Sequence, residues 1–226
     1  MKKKVFFIYP PSPVLNREDR CQQPVKELFI IPPLPPMDLL YLAGVAELLN
    51  YEAKVSDYSL GGNFMEDLEK FQPDYLVVNV ATPTFESDIK TIELAKKRFP
   101  KMITIAKGAP FLAKNKDVLY ENKYVDIIIV GEAEETLKEI LEGKEYNDIL
   151  GICYKEVYTV KYTGRRPFIE NLDELPFPAR HLIDNNLYRR PDNDKPQAII
   201  KVSRGCPYHC FFCLATPVSG AVVRYR

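Results

Sequence analysis

Three cysteines, Cys206, Cys210 and Cys213, are the residues of this chain whose type and spacing best suit chemistry. They fall in Arg204-Gly-Cys-Pro-Tyr-His-Cys-Phe-Phe-Cys213, a C-x3-C-x2-C array directly after the apolar run Ala198-Ile-Ile-Lys-Val202. Thiolates this close can converge on one inorganic centre only if the backbone curls around it, and Gly205 and Pro207 supply the freedom and the constraint for that curl. A four-iron cluster ordinarily takes four cysteines, so three leave one iron open to a further ligand. Zinc is the competing centre, because His209 would complete a tetrahedron with the three thiolates. His209 and Cys210 are adjacent in sequence, however, and reach one small ion awkwardly. Three unrelated thiols is the bland alternative, weakened by the scarcity of other cysteines, Cys21 and Cys153.

The composition is that of an ordinary globular protein: 226 residues, 46% hydrophobic and 27% charged. Basic and acidic residues balance at 31 each, so nothing in the net charge asks for nucleic acid or a membrane surface. No apolar run approaches the roughly 18–20 residues that span a bilayer. The Lys-rich start imitates a signal peptide, but Pro10 and Pro11 cut its apolar part short. Five cysteines, three of them clustered, argue for metal in a reducing compartment, hence a cytoplasmic protein.

The elements that must position the array alternate between strand and helix patterns. Residues 4–9, 53–57, 75–80, 102–106 and 125–130 read as strands, the third almost unbroken in its apolar character as when both faces are covered. Helices follow from Met37, Met65, Glu86, a segment ending near Asn122, and 135–142. The helix from Met37 carries Leu39, Leu42, Val45, Ala46 and Leu49 as one apolar stripe and closes at Asn50, a residue that tolerates the left-handed conformation. Residues 10–36 are an irregular, proline-rich loop, read as a segment covering a ligand, with Leu28-Phe-Ile-Ile31 folding back on the domain. Five alternating strands imply parallel pairing with right-handed crossovers. The fold class is therefore α/β, a flavodoxin-like doubly wound parallel sheet over residues 1–145. Ligands in such sheets sit outside the carboxyl ends of the strands. Ile149–Tyr154 and Val157–Tyr162 read as a hairpin, and residues 146–195 together form hairpin and interdomain linker, with Ile169–Pro178 a belt along the first domain. Residues 196–226 begin a second domain, in which a strand over Ala198–Val202 delivers the cysteine array from its carboxyl end.

The sheet domain, the Leu-Asp-Glu-Leu-Pro-Phe-Pro linker ending at Pro178 and the cysteine array, in this order, resemble the cobalamin-binding-domain-containing radical S-adenosylmethionine (radical SAM) proteins. The resemblance implies a B12-binding-like Rossmann domain set against the first strand of a partial (β/α) barrel. It implies that Cys206, Cys210 and Cys213 each ligate one iron of a [4Fe–4S] cluster, and that S-adenosylmethionine chelates the fourth through its amino and carboxylate groups. Electron transfer from the cluster then breaks a C–S bond to give a 5′-deoxyadenosyl radical. Phe212 would lie near the adenine, with aromatic packing an equally ordinary role. Thr82, Thr84, Gly108, Gly131 and Glu132 would line the cobalamin face, although Glu132 and Glu134 also read as carboxylates favoured at a helix N-terminus.

The chain departs from the family in two respects. It lacks the Asp-x-His-x-x-Gly motif, having only His181 and His209, so the lower axial position of cobalt is expected to be open or filled by a weak donor such as water. Its end at Arg226 leaves no room for the later barrel units, so the expectation is the first part of a larger enzyme, with turnover by these residues alone doubtful. The leading functional expectation is methyl transfer to an unactivated carbon of a small-molecule substrate, with an external electron donor of flavodoxin or ferredoxin type. Rearrangement, cyclisation or oxidation is the sibling reading. A non-catalytic B12- or nucleotide-binding module with a vestigial or zinc-binding cysteine loop is the reading from another class.

Overall fold

The computed structural model describes residues 2–13, 15–17, 22–24, 33–157, 159–190 and 192–226. Short apolar runs stopped by Pro, Gly or Asn form the strands, and longer periodic segments between them form the helices. In chain order these are β1 (Lys4–Tyr9), β2 (Leu15–Asn16), β3 (Gln23–Pro24), α1 (Met37–Leu48), β4 (Glu52–Asp57), α2 (Phe64–Phe71), β5 (Tyr75–Asn79), α3 (Phe85–Arg98), β6 (Ile103–Lys107), α4 (Lys116–Glu121), β7 (Ile127–Ile129) and α5 (Glu134–Glu142). There follow β8 (Ile152–Lys155), β9 (Val160–Tyr162), β10 (Ser203–Arg204), α6 (Ala215–Ser219) and β11 (Arg224–Tyr225).

The sheet order is β4-β1-β5-β6-β7-β8-β9, with the first five strands parallel. This is the doubly wound order expected from the alternation, and its direction of winding reverses between β1 and β5. Helices emerging to opposite sides there leave a crevice at the carboxyl ends of those strands. Alternation along β1 sends Val5, Phe7 and Tyr9 into the core under α1 and α5, and Phe6 and Ile8 into the core under α2, α3 and α4. The expected hairpin is formed by β8 and β9, which continue the same sheet antiparallel to β7. Cys153 on β8 faces the second core, fully buried, and burial pushes its thiol up to about 11. It is a packing residue.

Two segments differ from their patterns. Helix α1 is buried on all sides from Leu39 to Ala46, not along one stripe. Its outer side is covered by the belt expected over 169–178: Leu172, Leu175 and Ala179 are buried, and Ala179 N–H donates to the Leu40 carbonyl (2.9 Å). The belt backbone comes so near that a Cβ on Gly44 would lie 2.6 Å from the Phe177 carbonyl oxygen. The strand expected over 198–202 is not formed there. Pairing starts later, with Ser203 opposite Tyr225 and Arg204 opposite Arg224. Ile200 and Val202 are 78% and 60% exposed, an apolar run with no strand beside it among the described residues. In the 10–36 loop, β2 and β3 form a small antiparallel ladder, while Cys21 and Leu28-Phe-Ile-Ile31 lie outside the described residues.

Replacing Gly44 by Ala is expected to destabilise the protein by about 1–3 kcal/mol, the usual range for overpacking a filled core. Urea unfolding measures the loss, and faster limited proteolysis within 165–200 reports release of the belt.

Candidate functional site

The crevice at the carboxyl edge is a cavity of about 1060 Å³, its open mouth included. One wall comes from the sheet domain: Tyr9, Asp38, Lys107, Gly131, Glu132 and Glu134. The facing wall comes from the linker and the cysteine-bearing segment: Ile199, Lys201, Ser203, Arg204, Val218 and Ser219. Arg17 and the Leu34–Pro35 turn close a third side.

Buried charge organises the floor. Asp38, in the first turn of α1, accepts from Lys107 Nζ (2.5 Å), Tyr9 Oη (2.6 Å) and Asn79 Nδ2 (2.7 Å). Burial alone would raise the Asp38 pKa; the Lys107 ammonium and the hydrogen bonds from Lys107 and Tyr9 outweigh it and hold the carboxyl at about 2. Lys107 is the last residue of β6, so the strand that fills the core also delivers a cation to the cavity. Beside this group Arg17 is clamped by Asp88: Nη1 donates to Oδ2 (2.7 Å) and Nη2 to Oδ1 (3.0 Å), both side chains fully buried. Asp88 also accepts from Ala81 N–H (3.0 Å) and Thr84 Oγ1 (2.8 Å), and Arg17 Nη1 donates to the Asn79 carbonyl (3.1 Å). Among the described residues Arg17 Nε, itself buried, has no hydrogen-bond partner.

Opposite the floor, two glutamates clasp two arginines. Arg204 donates from Nη2 to Glu134 (2.5 Å) and from Nη1 to Glu132 (3.2 Å). Arg224, across the β10–β11 pair, donates to both oxygens of Glu132 (2.9 Å each). Burial would lower the Arg204 pKa, and the Glu134 carboxylate, then Glu132, raises it instead. Burial would raise that of Glu134, which Arg204 holds below the usual range. Arg226 extends the grip, donating to the Leu175 carbonyl (2.8 Å) of the belt. Arg204 and Arg226 both stand over the Tyr41 ring, at 5.4 and 5.5 Å. Every arginine of this ribbon is spent on the sheet domain or its belt.

The cysteines ride on the turn that leaves this ribbon. Gly205 has φ +103°, and a Cβ there would lie 2.1 Å from the Val222 carbonyl oxygen, so the position demands glycine. Cys206 N–H donates to the Gly220 carbonyl (3.0 Å), fixing the base of the turn. Its tip is open, with Cys210 exposed and Phe211 and Phe212 98% and 78% exposed. Among the described residues no three His, Cys, Asp or Glu side chains stand close enough to hold a metal ion, so the three thiols share one turn without converging. The donor type fits an iron–sulfur centre; the convergence would have to come with it.

Of the residues expected at the cobalamin face, Gly131 and Glu132 line the cavity, and Thr82, Thr84 and Gly108 do not. Thr84 serves the Asp88 network, Thr82 N–H donates to Gln22 Oε1 (2.8 Å), and Gly108 is required because a Cβ would meet the Val80 carbonyl oxygen at 2.0 Å. Phe212 packs edge-on against Phe211 (5.3 Å), outside the cavity. Sequence reasoning missed Asp38, Lys107, Arg17, Arg204 and Arg224. A lysine ending a buried strand at its carboxyl edge was a readable signal for Lys107; nothing in the sequence joined Arg17 to Asp88.

Residues 32–141 match the family described as the B12 binding domain. The chain is 30% identical over 188 residues to the uncharacterized methyltransferase PH0819 of Pyrococcus horikoshii, an alignment covering 79% of this chain and 40% of that protein. Among solved structures, the cobalamin-dependent S-adenosylmethionine radical enzyme OxsB, with aqua-cobalamin and S-adenosylmethionine bound, superposes with a TM-score of 0.74 at 17% identity over 99% of this chain and 30% of that one. The radical S-adenosylmethionine methyltransferase TsrM of Kitasatospora setae, with cobalamin and [4Fe–4S] cluster bound, gives 0.66 at 16% identity over 100% of this chain and 44% of that one. At such identities the structural likeness is one of fold. The chain thus spans less than half the length of each of these proteins.

Asp88→Asn leaves the buried Arg17 charge unmatched and is expected to cost about 3–5 kcal/mol, read from chemical denaturation midpoints. For Asp38 the folded pKa of about 2 lies below the ordinary value of 3.8, so its contribution is complete above that ordinary value and lost as pH falls through about 2. Thermal melts between pH 5 and 2 should show a steeper loss of stability in the parent than in Asp38→Asn.

Proposed function

We propose, for a chain that belongs to the cobalamin-binding-domain-containing radical SAM proteins, that the carboxyl-edge cavity holds cobalamin and the Cys206–Cys213 turn holds a [4Fe–4S] cluster open to S-adenosylmethionine. The observation that carries the reading is the position of the cavity: it lies at the winding reversal of the B12-type sheet and is walled on its far side by the residues flanking the cysteine array. Methyl transfer is the reaction supported best, since PH0819 bears that activity in its name. Bound together, cobalamin supplies a methyl carrier, and the cluster with S-adenosylmethionine supplies one-electron bond cleavage.

The residues present suit these roles. Arg17 closes one side of the cavity with its charge already matched by Asp88. Gly131, at φ +94° with open space where a Cβ would be, leaves the wall free of a side chain. Asp38 and Lys107 neutralise each other, so the floor is polar without demanding a charged ligand. No histidine lines the cavity: His181 bonds Glu47 at the surface (2.8 Å) and His209 sits on the cysteine turn. Cobalamin held here would rest against Gly131, Glu132 and Ser203, with no imidazole among the lining side chains. The exposed turn leaves the cluster reachable by a small electron-donor protein of flavodoxin or ferredoxin type, and the substrate is a small molecule. Three thiolates in place of four keep one iron for S-adenosylmethionine.

Anaerobic reconstitution with iron and sulfide should load about four irons per chain, absent when Cys206, Cys210 and Cys213 are all replaced by Ala. Equilibrium dialysis should show hydroxocobalamin bound by both forms. Stoichiometric zinc with no iron, or no cobalamin bound at millimolar concentration, would overturn the corresponding half of the reading.

A further inference from the structure

We infer that filling the carboxyl-edge cavity and assembling a cluster on the cysteine turn are energetically coupled, and that Arg204 is the positioning residue that carries the coupling. The inference rests on the reading above, in which both groups bind. The cysteine turn is suspended between two segments that wall the cavity, Ser203–Arg204 before Cys206 and Val218–Ser219 after Cys213. These limbs are tied together at and just beyond the base of the turn. There the Cys206 N–H donates to the Gly220 carbonyl (3.0 Å), Gly205 presses against the Val222 backbone, and Thr216 Oγ1 donates to the Tyr208 carbonyl (2.9 Å). Beyond the base the tip is exposed, and its three thiols do not converge.

A ligand that fills the cavity touches both limbs at once, so it fixes the ends from which the thiols must be gathered. A cluster that gathers the thiols fixes the same limbs from the other side. Each event thereby meets part of the ordering cost of the other, and linkage makes the advantage reciprocal. Arg204 is where the two meet. It lines the cavity, stands two residues before Cys206, and is held by Glu132 and Glu134, themselves cavity walls. Arg224 does not itself line the cavity; it braces the base, gripping Glu132 and donating to the Ser219 carbonyl (2.6 Å).

The test is a cycle of hydroxocobalamin affinities, measured anaerobically by the visible absorbance change. The parent protein carrying a reconstituted cluster should bind about 5–50-fold more tightly than Cys206→Ala/Cys210→Ala/Cys213→Ala, within the span of ordinary allosteric couplings. Cobalamin should likewise slow removal of iron by bathophenanthroline in the parent. In an Arg204→Gln background the same cysteine replacements should change the affinity by less than about twofold, while iron still loads. Arg204→Lys, which keeps the cation and loses the fork, should fall between and serves if the Gln variant fails to fold. Equal affinity in the parent with and without its three thiols overturns the coupling and leaves the proposed function standing. Coupling that survives Arg204→Gln and Arg204→Lys overturns the role of Arg204. Absence of cobalamin binding by every form overturns both the coupling and the reading beneath it.

Discussion

Two carboxylates at the start of α5, Glu132 and Glu134, face two guanidinium groups of the β10–β11 ribbon, and the relation between cavity and cysteine turn hangs on those charges. The ribbon is only two residues long on each side, too short to be held by its own ladder. The belt and the ion pairs must hold it. The four side chains are nearly buried, at 7–15% exposure. In that setting each partner makes the other tolerable, and loss of one leaves a charge stranded. Geometry adds direction: Arg224 grips both oxygens of Glu132, a paired contact that fixes orientation as well as distance.

The same logic recurs deeper in the sheet domain. Arg17 with Asp88 and Lys107 with Asp38 place two more ion pairs at the carboxyl edge, each bound into backbone or hydroxyl groups of neighbouring strands. The edge is thus polar and rigid without carrying much net charge. That suits a large ligand held mainly by shape, with a few donors to fix its orientation. Helix α1 links this edge to the ribbon. It presents Asp38 to the cavity at its N-terminal end and Tyr41 to Arg204 and Arg226 one turn later. Sheet on one side and belt on the other leave it little freedom, and Gly44 is what lets the belt close.

Close packing ends at the base of the cysteine turn. Proximal to Cys206 the backbone is tied by hydrogen bonds and by a glycine that no other residue can replace without strain. Distal to it the aromatic residues Tyr208, Phe211 and Phe212 are exposed. A turn anchored at both ends and open at its tip suits ligands that must gather around a centre and still reach outward.

The amino-acid sequence by itself determined the order of the strands and helices of the parallel sheet, because alternating short apolar runs and longer periodic segments admit few other readings. It placed three thiols on one turn as well, since the spacing of Cys206, Cys210 and Cys213 is local. It also marked Ile169–Pro178 as a belt and Asn50 as a left-handed helix end, and both hold in the structure. Only the tertiary structure decided which charges meet. Arg17 finds Asp88 from 71 residues away and Arg224 finds Glu132 from 92, separations across which no periodicity operates. It likewise decided that Thr84 bonds Asp88, that Glu132 grips the ribbon, and that pairing begins at Ser203 and not at Ala198. A charged side chain takes its role from whatever counter-charge folding brings beside it, and an apolar run becomes a strand only where a neighbour stands ready to pair.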